Sequence, residues 1–304
     1  MRLKDFLSRH YRRLGRAWNY YRAETGLPGH VARGHYYSPL PEIEEGARHA
    51  AEVSQRAPAN GLPGLNLRIA AQRELLLKMC ELYPEFDWTE RQTPDRRFHF
   101  NQGYYLQADA ICLYSMLRIV RPRRVIEVGS GFSSALMLDV NDRFLNHQTH
   151  FTFIEPYPDR LESILKPEDN NSTRILRQQV QMVSTDVFQG LESGDILFID
   201  SSHVSKAGSD VNCLLFDILP QLPAGVYVHV HDIFWPFEYS ADWIRQGYAW
   251  NEAYLLRAFL SFNESFEVVF WAPFAASLWP EIIKERMPAC LNNTGAALWI
   301  RKVR

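Results

Sequence analysis

The sequence is poor in cysteine and has no closely paired cysteines. Its 304 residues include only four, Cys80, Cys112, Cys213 and Cys290, which lie far apart in the chain. Zinc clusters and dense disulfide frameworks need cysteines at short, regular spacings. We therefore expect neither kind of site, and we expect the four cysteines to be reduced core thiols.

An excess of charge and long apolar runs are also missing. Lys and Arg total 33 against 35 Asp and Glu, so the chain as a whole would not be drawn to a polyanion. No apolar run approaches the roughly 20 residues of a membrane span. The start, MRLKDFLSRHYRRLGRAW, also lacks the apolar stretch of about 7 to 15 residues of a signal peptide. These absences predict a cytoplasmic protein with no nucleic-acid partner and no integral membrane segment.

Residues 1–25 combine aromatic and aliphatic side chains at helical spacing with basic side chains between them. This pattern predicts an amphipathic helix. In one interpretation its aromatic stripe packs on the domain or on a second subunit, which would make the protein a homo-oligomer. In the other, its basic face lies on an anionic membrane surface.

The first hundred residues differ in composition from the rest. Residues 26–64 are rich in Pro, Gly and His, which predicts a loop layer with little regular structure. Helices are predicted at about 67–83 and 106–120, and a proline follows each of them. We expect residues 1–100 to form a helical and loop-rich cap region, followed by a main domain over residues 101–304.

From Arg124 onward, short apolar runs alternate with helical patterns. The helical patterns fall at about 132–145, 158–165 and 207–219, between runs that we interpret as strands. This alternation predicts an α/β fold, a Rossmann-like, doubly wound and mostly parallel seven-stranded sheet. The last two runs show no obvious crossover helix, so we expect them to form a terminal antiparallel hairpin. The seven runs are residues 125–129, 151–155, 174–178, 195–200, 225–232, 266–271 and 296–300.

Polar residues follow the first two predicted strands, at the edge where ligands of open parallel sheets bind. The first strand leads into a glycine turn whose candidate ligand-binding residues are Glu127, Gly129, Ser130, Gly131 and Ser133. Glycines permit a tight turn and a close approach of ligand to backbone, and the following helix offers its amino terminus to an anion. The second strand ends in Glu155, which can accept hydrogen bonds from ribose hydroxyls.

A glycine turn alone would also fit a nicotinamide-binding fold. However, the third glycine of that motif would fall at Ser134, and an acid, Glu127, stands two positions before the first glycine. The motif ExGxGxSS, with Glu155 after the second strand, resembles that of the class I S-adenosylmethionine-dependent methyltransferases. The resemblance implies that the glycine turn lies against the methionine part of the cofactor and that Glu155 holds its ribose. It also implies that the approach segment around Tyr104 covers the cofactor.

The fourth and fifth strands end in a second set of polar residues. FIDSSH, ending at His203, and HVHDIFW, containing His231 and Asp232, look like the family 24 branch of these methyltransferases, over roughly residues 100–301. The resemblance implies that Asp200, beside the cofactor, and Asp232 bind a divalent cation, and that His203 is the general base. His231 is a candidate third metal ligand, whereas His229, inside an apolar strand, is better explained as a satisfied core histidine.

The chemistry of these residues suits methyl transfer to a hydroxyl. A hydroxyl is a poor nucleophile until it loses a proton; a bound cation lowers its pKa and an imidazole can accept the proton. Carboxylate ligands favour Mg²⁺ or Mn²⁺. Aromatic residues after the fifth strand, including Trp235 and Trp250, either line an acceptor site or pack a helical insertion.

We therefore predict an S-adenosylmethionine-dependent O-methyltransferase. Its acceptor would be a hydroxyl of a sugar or of a glycosylated or polyketide-like small molecule, which places it in natural-product or glycan biosynthesis. Two alternatives remain open: a nicotinamide-dependent oxidoreductase on the same fold, and a non-catalytic cofactor-binding partner. Intact Asp200, His203 and Asp232 argue against the second alternative.

Overall fold

The computed structural model describes residues 31–57 and 61–304. The predicted basic helix in residues 1–25 lies outside the described residues. Two compact units are present. One contains the described residues as far as Glu52 together with Ser240–Ala249, and the other contains Val53–Tyr239 with Trp250–Arg304. The division into a cap region and a main domain at residue 100 stays a prediction.

A seven-stranded sheet forms the centre of the larger unit, with the strand order β3-β2-β1-β4-β5-β7-β6. The pairs β1/β2, β2/β3, β1/β4 and β4/β5 are parallel, and β7 is antiparallel to both of its neighbours. This confirms the predicted α/β class and the antiparallel end of the sheet. The strands are β1 Arg124–Val128, β2 His150–Ile154, β3 Thr173–Leu176, β4 Ile196–Ile199, β5 Tyr227–Val230, β6 Phe266–Trp271 and β7 Leu298–Lys302.

Helices cover the sheet and connect its strands. The helices at residues 69–82, 107–120, 132–144, 159–164, 272–278 and 280–286 contribute apolar side chains to the main hydrophobic core, together with β1, β2 and β4. A strand of a parallel sheet needs such cover because it is buried. The helices of the described residues are α1 Ile43–Gln55, α2 Ile69–Leu82, α3 Gln107–Val120, α4 Phe132–Phe144, α5 Asp159–Ile164, α6 Asp186–Gln189, α7 Asp210–Asn212, α8 Ala241–Arg245, α9 Glu252–Leu260, α10 Ala272–Leu278 and α11 Pro280–Arg286. None of these is long and apolar enough to cross a membrane.

Two expectations were wrong, the lack of regular structure in residues 26–64 and the lack of helices beside the last two strands, whereas the antiparallel pairing of these strands is confirmed. Helix α1 lies inside the segment expected to have little regular structure; the Glu42 side chain accepts a hydrogen bond from the Glu45 amide at its start (2.8 Å), and its small buried residues pack with Ile244 within the smaller unit. The last two strands do have connecting helices. Helices α8 and α9 connect β5 to β6, and α10 and α11 connect β6 to β7, so the antiparallel pair is not a tight hairpin.

Candidate active site

The strand order reverses between β1 and β4, which places the carboxyl ends of β1, β2, β4 and β5 at one edge of the sheet. A crevice at such a reversal is the usual ligand site of open α/β sheets. The glycine turn, Glu155, Asp200 and Asp232 follow these four strands in that order. The structure therefore brings together the residues that the sequence analysis selected from four separate segments.

The turn after β1 requires a glycine at position 129. Its φ is +81°, and a Cβ at this position would lie 2.0 Å from the carbonyl oxygen of Asp200. The backbone nitrogen of Asp200 also donates to the carbonyl of Val128 at 2.9 Å, so the end of β4 lies directly beside the turn. The sequence analysis expected the glycine to admit a ligand; the structure shows that the atom nearest to the missing side chain belongs to the protein.

Glu127 is completely buried beneath the glycine turn. One of its carboxyl oxygens accepts the Ser133 hydroxyl at 2.5 Å, and the other accepts the Ser134 hydroxyl. Burial raises the pKa of Glu127 from 4.5 to about 8, against the opposing effect of the two serine hydrogen bonds. Glu127 and Ser133 thus hold the first turn of α4 in place, and their direct contact with a cofactor stays a prediction.

In the native chain, Glu127 is expected to make the free energy of unfolding fall as the pH rises from 4.5 to about 8. Glu127→Gln should not show this contribution. In this window the unfolded chain has released the carboxyl proton while the folded chain retains it, so folding weakens as the pH rises. The amide does not titrate. Urea unfolding of both proteins at several pH values should therefore show the free energy of unfolding of the native chain falling relative to that of the variant. Parallel pH curves would contradict a neutral, buried Glu127.

A cavity of about 410 Å³ opens on one side of Asp200. Its wall includes Gly129, Glu155 and Gln179 from the ends of β1 and β2 and from the segment after β3. One Glu155 oxygen accepts the Ser130 amide at 3.2 Å and the other accepts the Tyr157 amide at 2.8 Å. These bonds fix the carboxylate at the cavity wall, where it has capacity left to accept further hydrogen bonds.

A second cavity, of about 330 Å³, lies on the other side of Asp200. The exposed Tyr104 ring stacks on Phe132, and the guanidinium of Arg160 lies 4.3 Å from the Tyr104 ring centre. The Ser130 hydroxyl is buried and has no hydrogen-bond partner among the described residues. The lining residues include Tyr104, Ser130, Gly131, Ser133, Arg160, Asp200, His203, His231, Asp232 and Trp250.

Of the residues discussed for this face, the sequence analysis did not select Arg160. It lies on the short helix α5 after β2, and only the fold brings it over the glycine turn: a Cβ on Gly131 would lie 3.5 Å from the Arg160 Cδ. The aromatic segment after β5 was expected either to line an acceptor site or to pack in the interior, and it does both. Trp250 lines the cavity, whereas the Trp235 ring packs against Trp271 and Phe274 in the interior.

Asp200, His203 and Asp232 converge at the floor of the second cavity. One potential ligand atom from each lies within 4.8 Å of the others. His203 Nε2 lies 3.4 Å from Asp200 Oδ1 and 3.6 Å from Asp232 Oδ2. His203 and Asp232 both have positive φ, +60° and +58°, which is uncommon for these residue types and persists only where surrounding contacts hold it.

The electrostatics of the cluster follow from burial and from its mixed charges. Burial favours the neutral form of both carboxyl groups. At Asp200 the neighbouring imidazoles of His231 and His203 outweigh this effect and lower the pKa, whereas the pKa of Asp232 is raised. Burial alone would lower the pKa of His203, but its hydrogen bonds with Asp200 and Glu252 outweigh burial and raise that pKa to about 10.

The other two histidines of β5 and its end occupy different surroundings. His231 Nε2 lies 3.7 Å from Asp232 Oδ1, so His231 adjoins the cluster without entering it. His229 is fully buried and its ring stacks on Phe198 with ring centres 4.0 Å apart. Burial lowers the pKa of His229. Neither of its ring nitrogens has a hydrogen-bond partner among the described residues, so the residue lies in the core as expected but is not satisfied there.

The residues present fit both an adenosine-type cofactor and a divalent cation. Glu155 offers a fixed carboxylate beside one cavity, and Ser130 offers an unused hydroxyl beside the other. Asp200 borders both cavities. The carboxylates of Asp200 and Asp232 supply the oxygen donors that Mg²⁺ and Mn²⁺ prefer.

Comparison with known proteins agrees with this geometry. A family model described as a methyltransferase domain matches residues 126–233, which run from β1 to the end of β5. An uncharacterised protein of Archaeoglobus fulgidus is 32% identical over 168 residues, which is 54% of this chain and 74% of that protein.

Two solved structures are more distant. They are a methyltransferase of Podospora anserina bound to S-adenosylhomocysteine (TM-score 0.43, 15% identity, 88% of this chain and 99% of that chain) and the O-methyltransferase TomG of Streptomyces achromogenes (TM-score 0.40, 13% identity, 86% and 98%). The matched domain and the ExGxG turn at the strand reversal support the same assignment. This chain belongs to the class I S-adenosylmethionine-dependent methyltransferases.

Proposed function

We propose that the enzyme transfers the methyl group to a hydroxyl of a small molecule, with a divalent cation at Asp200 and Asp232 and with His203 as proton acceptor. The observation that carries this proposal is the convergence of the three side chains within 4.8 Å. They lie in a cavity that also contains Ser130 and Gly131 of the glycine turn. The acceptor and the methyl donor would therefore meet beside Asp200.

The cluster supplies what a hydroxyl acceptor needs. When bound, a cation would lower the pKa of a hydroxyl that it coordinates. His203 has one ring nitrogen directed into the cavity, because Nδ1 is bonded to Glu252 and Nε2 faces Asp200 and Asp232. General-base catalysis needs an acceptor at such a position, within hydrogen-bond reach of the proton that is removed. Because the pKa of His203 is raised to about 10, Nε2 must first lose its own proton, which a cation held by Asp200 and Asp232 would favour by repelling the charged imidazole.

One nitrogen cannot both bind the cation and accept the proton. We assign the uptake of the acceptor's proton to Nε2 of His203. His231 is left as the candidate third ligand, because its Nε2 lies 3.7 Å from Asp232 Oδ1. The alternative, in which His203 completes the metal site, is favoured by the short distances within the cluster. The two assignments differ in what removal of His203 does to metal affinity.

The proposed acceptors are sugars and glycosylated or polyketide-like small molecules. The second cavity is flanked by the aromatic rings of Tyr104 and Trp250 and has polar groups at its floor. Rings that stack on an apolar face, combined with directed polar contacts, suit compounds that carry several hydroxyls on a rigid frame. Incubating the enzyme with a cell extract and S-adenosylmethionine labelled in its methyl group, then identifying the compound that gains label, tests both the substrate class and the methylated atom.

Replacing Glu155 with alanine is expected to weaken the binding of S-adenosylhomocysteine roughly 10-fold to 100-fold, because hydrogen bonds to a charged group are lost. The fold should be retained, since Glu155 is only partly buried. Calorimetric titration provides the measurement. A matched control is Glu162→Ala in α5, which removes a surface carboxylate paired with Arg177. Equal affinities in the two variants would show that Glu155 does not hold the ribose.

A further inference from the structure

The imidazole of His203 is held by a residue that lies 49 positions further along the chain. Glu252, the first residue of α9, is 2% exposed, and its Oε2 lies 2.8 Å from His203 Nδ1. The other oxygen accepts the Ser201 hydroxyl at 3.0 Å, and Ser201 Oγ accepts the backbone amide of His203 at 3.0 Å. Both oxygens of this buried carboxylate are therefore engaged around the same histidine.

The start of α9 also holds the backbone of His203. The amides of Asn251 and Glu252 both donate to the His203 carbonyl, at 3.0 and 3.2 Å. The Trp250 ring lies against the imidazole with ring centres 4.3 Å apart. His203 keeps its unusual φ of +60° in this setting, so the segment Trp250–Glu252 fixes both the backbone and the ring.

We propose that Glu252 is a positioning residue, which holds the hydrogen of His203 Nδ1 at its carboxylate whether the ring is charged or neutral, so that Nε2 faces Asp200 and Asp232 and is the nitrogen that gives up and takes back a proton. This inference rests on the proposed function, in which Nε2 accepts the proton of the acceptor. A carboxylate accepts hydrogen bonds only, so its partner nitrogen must carry the hydrogen. An amide at the same place can donate instead and allows the opposite tautomer, a change known to slow general-base catalysis in a comparable carboxylate and histidine pair by about 10⁴.

The test uses the full chain labelled with ¹⁵N in its histidines, saturated with S-adenosylhomocysteine and Mg²⁺, at a pH where the ¹⁵N shifts of His203 show a neutral ring. The signals of His203 are identified by their disappearance in His203→Gln. In the native chain we expect a hydrogen-bonded proton coupled to Nδ1 of His203. Glu252→Gln, which preserves size, should abolish that signal, and Ser201→Ala should weaken it. Glu264→Gln is the control: it removes the same charge beyond the far end of α9, where Glu264 pairs with Arg304.

An unchanged Nδ1 proton in Glu252→Gln, with the control also unchanged, overturns the inference. Calorimetric titration with S-adenosylhomocysteine shows whether each variant is folded, so a lost signal with intact cofactor affinity is a local effect. The proposed function fails separately. If His203→Ala transfers methyl groups at the native rate while Glu252→Gln loses the proton signal, Glu252 still orients the ring but His203 is not the base.

Discussion

Gly129→Ala is expected to destabilise the enzyme by about 3 kcal/mol or more, an effect in the range that marks a severe local defect. Two causes combine. The backbone has a φ of +81°, and the new Cβ would lie 2.0 Å from the carbonyl oxygen of Asp200. Because the colliding atom belongs to the backbone and not to a flexible side chain, the ends of β1 and β4 would have to separate beside the proposed cofactor site. Cofactor affinity should fall with stability.

Gly194→Ala separates these two causes. Gly194 has a comparable φ of +92°, but no atom lies within 4 Å of its added Cβ. Its substitution should cost only the backbone strain, about 1 kcal/mol. Denaturant unfolding of both variants provides the comparison. Equal losses would show that strain alone, and not contact with Asp200, requires glycine at position 129.

The close approach of Asp200 to Gly129 changes how a variant of the glycine turn is interpreted. The resemblance to the methyltransferases places this turn against the methionine part of the cofactor, so a large side chain at position 129 would be read as blocking cofactor binding. Because the first collision is with the protein backbone, lost cofactor binding in such a variant also reports a displaced strand. Glu155→Ala and Ser130→Ala, which remove polar atoms at the cavity walls without a clash, are the cleaner probes of the cofactor site.

The sheet was predictable because its signal is local. Strands buried on both faces appear as short apolar runs, and those runs lie within a few residues of β1 to β7. The polar residues at their ends were predictable for the same reason, since parallel strands place their carboxyl ends at one edge. Helix α1 was missed because only Ala47, Ala50 and a few neighbours are apolar on its buried side, among prolines and glycines that indicated loops.

The supports of the site were not predictable, since they depend on contacts distant in sequence. Glu252 lies two residues after Trp250 of the aromatic segment, and no spacing rule connects it to His203. The positive φ of His203 and Asp232 has no sequence signal either, because neither residue is a glycine. His231 precedes a predicted ligand directly and its Nε2 lies 3.7 Å from Asp232 Oδ1, yet it is not one of the three residues whose ligand atoms converge, Asp200, His203 and Asp232.

His203→Ala is expected to lower the turnover number by about 10²-fold to 10⁴-fold, the usual contribution of a general base. Affinity for S-adenosylhomocysteine should be unchanged, because the contacts of Glu155 and the glycine turn remain. The measurement is single-turnover transfer of labelled methyl to the acceptor found in the extract experiment. His150→Ala, at the exposed start of β2, is the control, and a native rate in His203→Ala removes the imidazole from the reaction.

Asp200→Asn and Asp232→Asn should each lower Mn²⁺ affinity, and excess chelator should abolish turnover that added Mg²⁺ or Mn²⁺ restores. The affinity of His203→Ala for Mn²⁺ then decides between its two roles. If the affinity stays at the native value while turnover falls, Nε2 accepts the proton and the third ligand lies elsewhere. If the affinity falls as far as it does in Asp200→Asn, His203 is itself a metal ligand. Another group must then remove the hydroxyl proton of the methyl acceptor. Full turnover in excess chelator would leave the imidazole as the only activating group in the cavity.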